Sequence, residues 1–242
     1  MEIHPLFYLI AFVSVLTASF FSFVVITFLI VVHEIGHVLL VLLFGGTVFK
    51  ILIYPLGGIS KFSTGFNLSI GKEFLILIFG PLFQMLAWIV LCLIFPSKAE
   101  VITTYNFGIL IFNLLPIYPL DGGKLLVLLF HYFLPYRKSF YMCFCFGYCL
   151  LFVILLGFLY SFFLNLLFLF FFLIIKLTKE VEQVPYFYDR FLLERYLNHY
   201  NFKKSKIVNS KEDFQRSYRH LIKDGSNYYL EEEYLEKKFK KC

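Results

Sequence analysis

The chain has 242 residues and a formal net charge of +6; 60% of residues are hydrophobic, 34 are Phe, and only 16% are charged. Apolar runs long enough to cross a bilayer recur as far as Ile175, which excludes a soluble globular enzyme and points to an all-α polytopic membrane protein. From Lys176 onward 15 Lys/Arg stand against 11 Asp/Glu, a mixture that suits a membrane surface or an acidic partner and makes no case for nucleic acid.

The start, Met1-Glu2-Ile3-His4-Pro5, has no positive region, and no small-residue cleavage site follows. The first apolar segment is therefore expected to remain as a transmembrane helix. Residues 6 to 44 are too many for one crossing at about 1.5 Å per residue. The polar cluster Thr17-Ala18-Ser19 is the expected bend, giving helices near 6–19 and 20–44.

About midway along the second helix lies His33-Glu34-Ile35-Gly36-His37. Glu34 is the only carboxylate between Leu6 and Phe49, and that stretch has no Lys or Arg. Helical spacing puts His33 and His37 one turn apart on one face, where both imidazoles can reach a single metal ion. Glu34, beside them, is placed to take a proton from an attacking water. A charged group at the bilayer centre costs about 3 kcal/mol. Three ionisable groups within five residues of a span therefore favour a functional role over polar groups merely satisfied inside a bundle.

Gly45-Gly46 ends that helix. Residues 48–59, β-branched and apolar and closed by Pro55-Leu56-Gly57-Gly58, read as a small β-hairpin or a re-entrant loop. A sheet edge there could bind an extended peptide, and a plain connecting hairpin fits equally well. A third span covers about 74–95, kinked or opened at Gly80-Pro81. A fourth, about 102–118, ends in Asn113-Leu114-Leu115-Pro116-Ile117-Tyr118-Pro119-Leu120-Asp121-Gly122-Gly123, whose prolines and glycines should leave Asp121 on unwound backbone. An amphipathic or interfacial connection from Lys124 to Lys138 leads to a final pair of helices, 139–158 and 159–177, turning near Tyr160-Ser161.

These are about six transmembrane helices. Lys50, Lys61, Lys72, Lys124, Arg137 and Lys138 fall on one side with the tail, against Lys98 on the other, so both termini are expected to be cytoplasmic. An amphipathic helix over Tyr186–Tyr196 should leave the membrane. Strands at Lys206–Val208 and Tyr228–Leu230 should flank a helix at 211–222, followed by a charged helix or irregular end. This gives a small cytoplasmic α+β tail, with boundaries at 1–177 for the six spans, 178–200 for a linker helix and 201–242 for the tail. The cysteines in apolar segments (Cys92, Cys143, Cys145, Cys149) and Cys242 read as small side chains without a metal or redox role. His4, His131, His199 and His220 lack ligand spacing and read as interfacial or solvated.

Two histidines do not complete a catalytic zinc site, which takes three protein ligands and an open position. Asp121 is the only carboxylate between Val101 and Leu177. It reads either as the third ligand or as a turn or helix-cap aspartate, and the histidine pair in the same membrane favours the ligand.

The pairing of His-Glu-Ile-Gly-His with Asn-Leu-Leu-Pro-Ile-Tyr-Pro-Leu-Asp-Gly-Gly about 80 residues later resembles the site-2 protease family of intramembrane zinc metalloproteases, most of all its sporulation branch. That resemblance spans roughly residues 4–200. It implies one Zn2+ per chain on His33, His37 and Asp121, with Glu34 catalytic and with Asn113 and Pro116 shaping the substrate site. It also implies a protein substrate, a pro-sigma factor (pro-sigma-K) that loses its prosequence, inhibitory membrane-protein partners, and residence in the membrane surrounding the forespore. Relatives end in a nucleotide-sensing CBS-type domain; residues 201–242 are too short for a full one and read as a reduced remnant or irregular tail, which puts ATP binding by the tail in doubt. Rival readings are a site-2-type protease cutting a transmembrane anti-sigma factor, a membrane metal transporter, and a scaffold that has lost its chemistry.

Overall fold

The computed structural model describes residues 2–3, 5–54, 57–63, 69–161, 164–198, 200, 202, 204–224 and 227–239. His4, His199 and Cys242 lie outside them. The chain divides into two compact units, Met1–Asn113 and Leu114–Cys242.

In the first unit, strand β1 (Glu2–Ile3) leads into helix α1 (Pro5–Leu16). Twelve residues make only about 18 Å of helix. It stops at the expected polar cluster: Ala18 has a φ of 54°, and the Thr17 and Ser19 hydroxyls bond each other at 2.7 Å. Helix α2 (Phe20–Leu43) then runs for 24 residues without a break. Its end is a Schellman turn on Gly45, whose φ of 78° suits a residue without a Cβ. There the Gly46 N–H donates to the Val41 carbonyl at 2.9 Å and that of Gly45 to Leu42 at 3.0 Å.

The expected hairpin forms as β2 (Thr47–Tyr54) and β3 (Gly57–Ser63), antiparallel with an irregularity between Val48 and Lys50. β1 adds to β2 in parallel, so the sheet order is β1-β2-β3. Helix α3 (Ile70–Ile94) starts four residues before the expected 74 because the Ser69 hydroxyl accepts the Lys72 N–H, and it continues through Pro81. Helix α4 (Ala99–Leu114) stops before Pro116 instead of reaching 118, since proline disfavours helix in the residue before it. Val25 and Leu29 of α2, Ala87 of α3 and Ile102 of α4 form the buried core between these helices.

The second unit begins with a loop whose Tyr118–Pro119 peptide is cis. Helix α5 (Asp121–His131) follows, and it corrects one expectation: Asp121 is the first helical residue, not a residue of unwound backbone. Leu120 is extended ahead of it, and a carboxylate in the first turn is favoured by the helix dipole. Gly122 and Gly123 act as close-contact residues and not as breakers. A Cβ on them would lie 2.1 Å from the Leu114 carbonyl oxygen and 2.3 Å from the Tyr118 nitrogen.

The expected connection from Lys124 to Lys138 ends at a turn around Pro135, where α6 (Tyr136–Ser161) begins. Helix α7 (Leu164–Glu182) runs past the expected end of the last span at 177, and α8 (Val184–Leu197) follows closely. The tail is a sheet of order β4-β5-β6, from β4 (Ser205–Val208), β5 (Arg219–Asp224) and β6 (Asn227–Leu230), closed by α9 (Glu231–Phe239). The expected helix at 211–222 is therefore wrong. It shrinks to a single 3-10 turn at Lys211–Asp213, while Leu221 and Ile222 join the sheet by pairing with Ile207 and Val208.

Two of the histidines read as interfacial or solvated are buried. His131 sits against the rings of Tyr136 and Phe140 and donates from Nδ1 to the Val127 carbonyl at 2.8 Å. Burial lowers its pKa to about 3. His220 stacks on Phe214 with ring centroids 4.4 Å apart. Cys143 is a buried small side chain whose thiol donates to the Gly123 carbonyl; Cys92 is half-buried, and Cys145 and Cys149 are exposed.

Among the described residues three helices are long and apolar enough to cross a membrane: Phe20–Leu43, Ile70–Ile94 and Tyr136–Tyr160. Phe7–Leu16 is a shorter apolar helix. The chain is thus a mostly helical membrane protein with small sheets, and the expected count of six crossings is not reached on these residues.

Candidate metal centre

Helix α2 carries His33, Glu34 and His37. The two histidines are buried on the face turned to α3, and Glu34 beside them is half-buried. α3 comes very close at this level because both helices carry glycine there. A Cβ on Gly36 would lie 2.5 Å from the Phe79 carbonyl oxygen, and one on Gly80 would lie 2.3 Å from Nε2 of His37. Gly80-Pro81, read from the sequence as a kink, therefore makes room for an imidazole.

The tautomers of both rings follow from their partners. His37 Nδ1 lies 2.7 Å from the backbone carbonyl of Ile76, a group that can only accept, so Nδ1 carries the hydrogen. His33 Nδ1 lies 2.9 Å from Oε1 of Gln84. The Gln84 amide nitrogen faces two acceptors, the Asn106 backbone oxygen at 3.1 Å and its side-chain oxygen at 3.0 Å. This assigns the amide orientation from its bonding pattern and leaves Oε1 to accept from His33. Both Nε2 atoms consequently present lone pairs, and they stand 3.1 Å apart. Two imidazole lone pairs at that distance repel unless a cation lies between them, which suits a metal bound through Nε2 of each ring.

In the second unit Asp121 is 6% exposed at the start of α5 and accepts from Lys124 Nζ at 3.1 Å on Oδ1. Asn113 is half-buried in the last turn of α4, and Pro116 is half-buried in the loop before α5. Imidazole and carboxylate are donor types that suit zinc, and His33, His37 and Asp121 are each buried.

The sequence reading missed Gln84 and Asn106. The available signal was a glutamine and an asparagine in apolar helices, since buried amides need partners. Neither carries a charge, and nothing in the spacing ties either to His33.

The chain is similar to Stage IV sporulation protein FB of Bacillus subtilis (strain 168), with 36% identity over 209 residues, covering 81% of this chain and 70% of that protein. It is also similar to the solved structure of a site-2 protease from Methanocaldococcus jannaschii. That match has a TM-score of 0.60 and 25% identity, and it covers 74% of this chain and 89% of the other. No family model matches.

Proposed function

The chain belongs to the site-2 protease family of intramembrane metalloproteases, and from that premise we propose that it is a zinc endopeptidase with one metal on His33, His37 and Asp121. The observation that carries the metal is the pair of Nε2 lone pairs 3.1 Å apart, each fixed by an Nδ1 partner. The buried carboxylate of Asp121 supplies the third donor, which a catalytic zinc requires. When bound, zinc supplies Lewis-acid polarisation of a scissile carbonyl and lowers the pKa of water towards about 7.

The remaining chemistry belongs to the chain. Glu34, adjacent to both ligands and only half-buried, takes the proton from the attacking water and passes it to the leaving amine. The bonds to Gln84 and Ile76 hold His33 and His37 with their Nε2 lone pairs available as donors, and with those lone pairs on the metal neither ring would compete with Glu34 for that proton. Asn113 and Pro116 shape the path of the substrate strand.

The substrate in this reading is a sporulation pro-sigma factor, which loses an N-terminal prosequence at or near the membrane. The likeness to a sporulation protein supports that choice. In the same reading the chain is a multi-pass protein of six spans with both termini cytoplasmic, in the membrane around the forespore, and is restrained by inhibitory membrane partners.

Co-expression with a pro-sigma factor tests it. A shortened sigma factor should appear on an immunoblot with the wild-type chain and not with Glu34→Gln. Intact substrate beside an inserted, zinc-loaded wild-type chain would overturn the substrate. Cleavage that persists after zinc is stripped would overturn the metal.

A further inference from the structure

We propose that Gln84 is a positioning residue for the metal, acting through His33 and itself held by Asn106. Gln84 is fully buried on α3, three residues past Pro81 and facing α2. Its four hydrogen-bonding positions are divided by function. Oε1 accepts from His33 Nδ1, while the amide nitrogen is spent on the two oxygens of Asn106. Asn106 is itself fully buried on α4, and its own amide nitrogen faces Met85 Sδ at 3.5 Å.

A glutamine side chain alone can turn over and offer either its oxygen or its nitrogen to a neighbour. With nitrogen towards His33, the ring would have to place its hydrogen on Nε2, the atom that must bind the metal. Asn106 forbids that turn, because its backbone carbonyl, which can only accept, would then face the Gln84 oxygen. Three helices thus cooperate: α4 orients the amide, α3 carries it, and α2 receives a ring with its lone pair on Nε2. His37 needs no such device, since the Ile76 carbonyl is backbone and cannot turn.

A merely structural role for Gln84 would be to fill volume and satisfy Asn106. Positioning demands more. A metal-binding histidine whose outer partner is lost binds its metal about 10–100-fold more weakly.

This inference rests on the zinc reading, and the test keeps the two apart. Full-length chain in detergent is titrated with zinc against a chelator, and histidine ring nitrogens are followed by 15N NMR in the metal-free protein. The wild type should bind one zinc and report Nδ1–H for His33. Gln84→Leu, close in volume, should weaken zinc about 10–100-fold and shift the His33 ring towards the Nε2–H form. Asn106→Ala, which keeps the backbone acceptor, should weaken zinc binding less than Gln84→Leu does and add nothing in the Gln84→Leu background, because its effect passes through Gln84.

A wild type that binds no zinc would overturn the parent reading. With zinc bound by the wild type, equal affinity in Gln84→Leu would overturn the positioning role alone. So would an unchanged His33 tautomer in that variant.

Discussion

Gly80 of α3 lies so close to His37 of α2 that a Cβ there would come within 2.3 Å of both Cε1 and Nε2 of the ring. The clash is with the ring itself, including the proposed donor atom, and not with a flexible chain end. His37 cannot yield, because its Nδ1 is tied to the Ile76 carbonyl at 2.7 Å. Gly80→Ala should therefore push the ring out of place at an overpacking cost of about 1–3 kcal/mol, and zinc content and turnover should fall together. Metal analysis of purified protein checks this. Full zinc occupancy in the variant would mean that α3 shifts instead of the ring.

Glu34→Gln should reduce turnover by at least about 100-fold, the contribution typical of a positioned general base. It should leave zinc bound, because the amide keeps the shape of the side chain and all three proposed donors stay in place. The check is a single preparation assayed for cleavage and for metal. A variant that turns over near the wild-type rate would remove Glu34 as the base.

The tail offers a prediction that is independent of the metal. Arg195 of α8 is buried and paired with Glu231, at 3.1 Å through Nη2 and by a second bond from Nε. It also donates to the backbone carbonyl of Gln215 at 3.1 Å. Arg195→Met leaves the Glu231 carboxylate buried without its cation and should cost about 3–5 kcal/mol. The sheet of β4, β5 and β6 should then exchange its amide hydrogens quickly and be trimmed by protease. An intact, protected tail in that variant would contradict the assignment.

The same cluster should make the tail acid-sensitive. His220 accepts the Gln215 N–H on Nε2 at 2.9 Å and faces Glu231 Oε2 with Nδ1, so it is folded as the neutral ring. Burial holds its pKa below the usual 6.5, with Glu231 offsetting this only in part and with Arg195 and Lys206 adding to it. For Glu231, burial works upward, but the His220 and Arg195 contacts outweigh it and the net shift is downward. Both folded pKa values lie below the unfolded ones, so the unfolded tail binds more protons and stability falls with pH. The loss should begin below about 6.5 through His220 and deepen below the usual carboxylate range through Glu231. Amide exchange of β5 compared at pH 7.5 and 5.5 measures it; equal protection would exclude the effect.

How far the sequence carried depended on whether a residue's role was local. That His33, Glu34 and His37 sit together on one helix was legible, because one helical turn fixes their relation to each other. The hairpin was legible from β-branched residues between glycines, although the parallel addition of β1 rests on residues about 50 positions away and leaves no local mark. Asp121 was singled out but misplaced on unwound backbone: Pro119, Gly122 and Gly123 read as breakers, whereas the glycines serve close approach to the Leu114 and Tyr118 backbone. β5 was missed because Arg219-His220-Leu221-Ile222-Lys223-Asp224 has two apolar residues in the middle and charge at both ends. Only pairing with β4 and β6 decides it. Gln84 stood out only as an amide in an apolar helix; its partners lie on two other helices and leave no mark in the local sequence.

Asp121 carries the most exposed assignment, and its place in the fold sharpens the test. As the first residue of α5, with Lys124 on Oδ1 at 3.1 Å, it already has a structural use. A carboxylate in a first turn contributes about 0.3–1 kcal/mol through the helix dipole. If that were its whole role, Asp121→Asn would lose no more than that amount and keep its zinc. As third ligand it behaves differently. Asp121→Ala should lose most of the bound zinc and all activity while the protein still inserts, and Asp121→Asn should lose affinity too, because a neutral amide oxygen is a poorer zinc donor than a carboxylate. Zinc content measured beside melting temperature separates the two roles. An Asp121→Ala protein with a full equivalent of zinc and a slightly lower melting temperature would make Asp121 a helix-start residue and leave the third ligand to be found elsewhere.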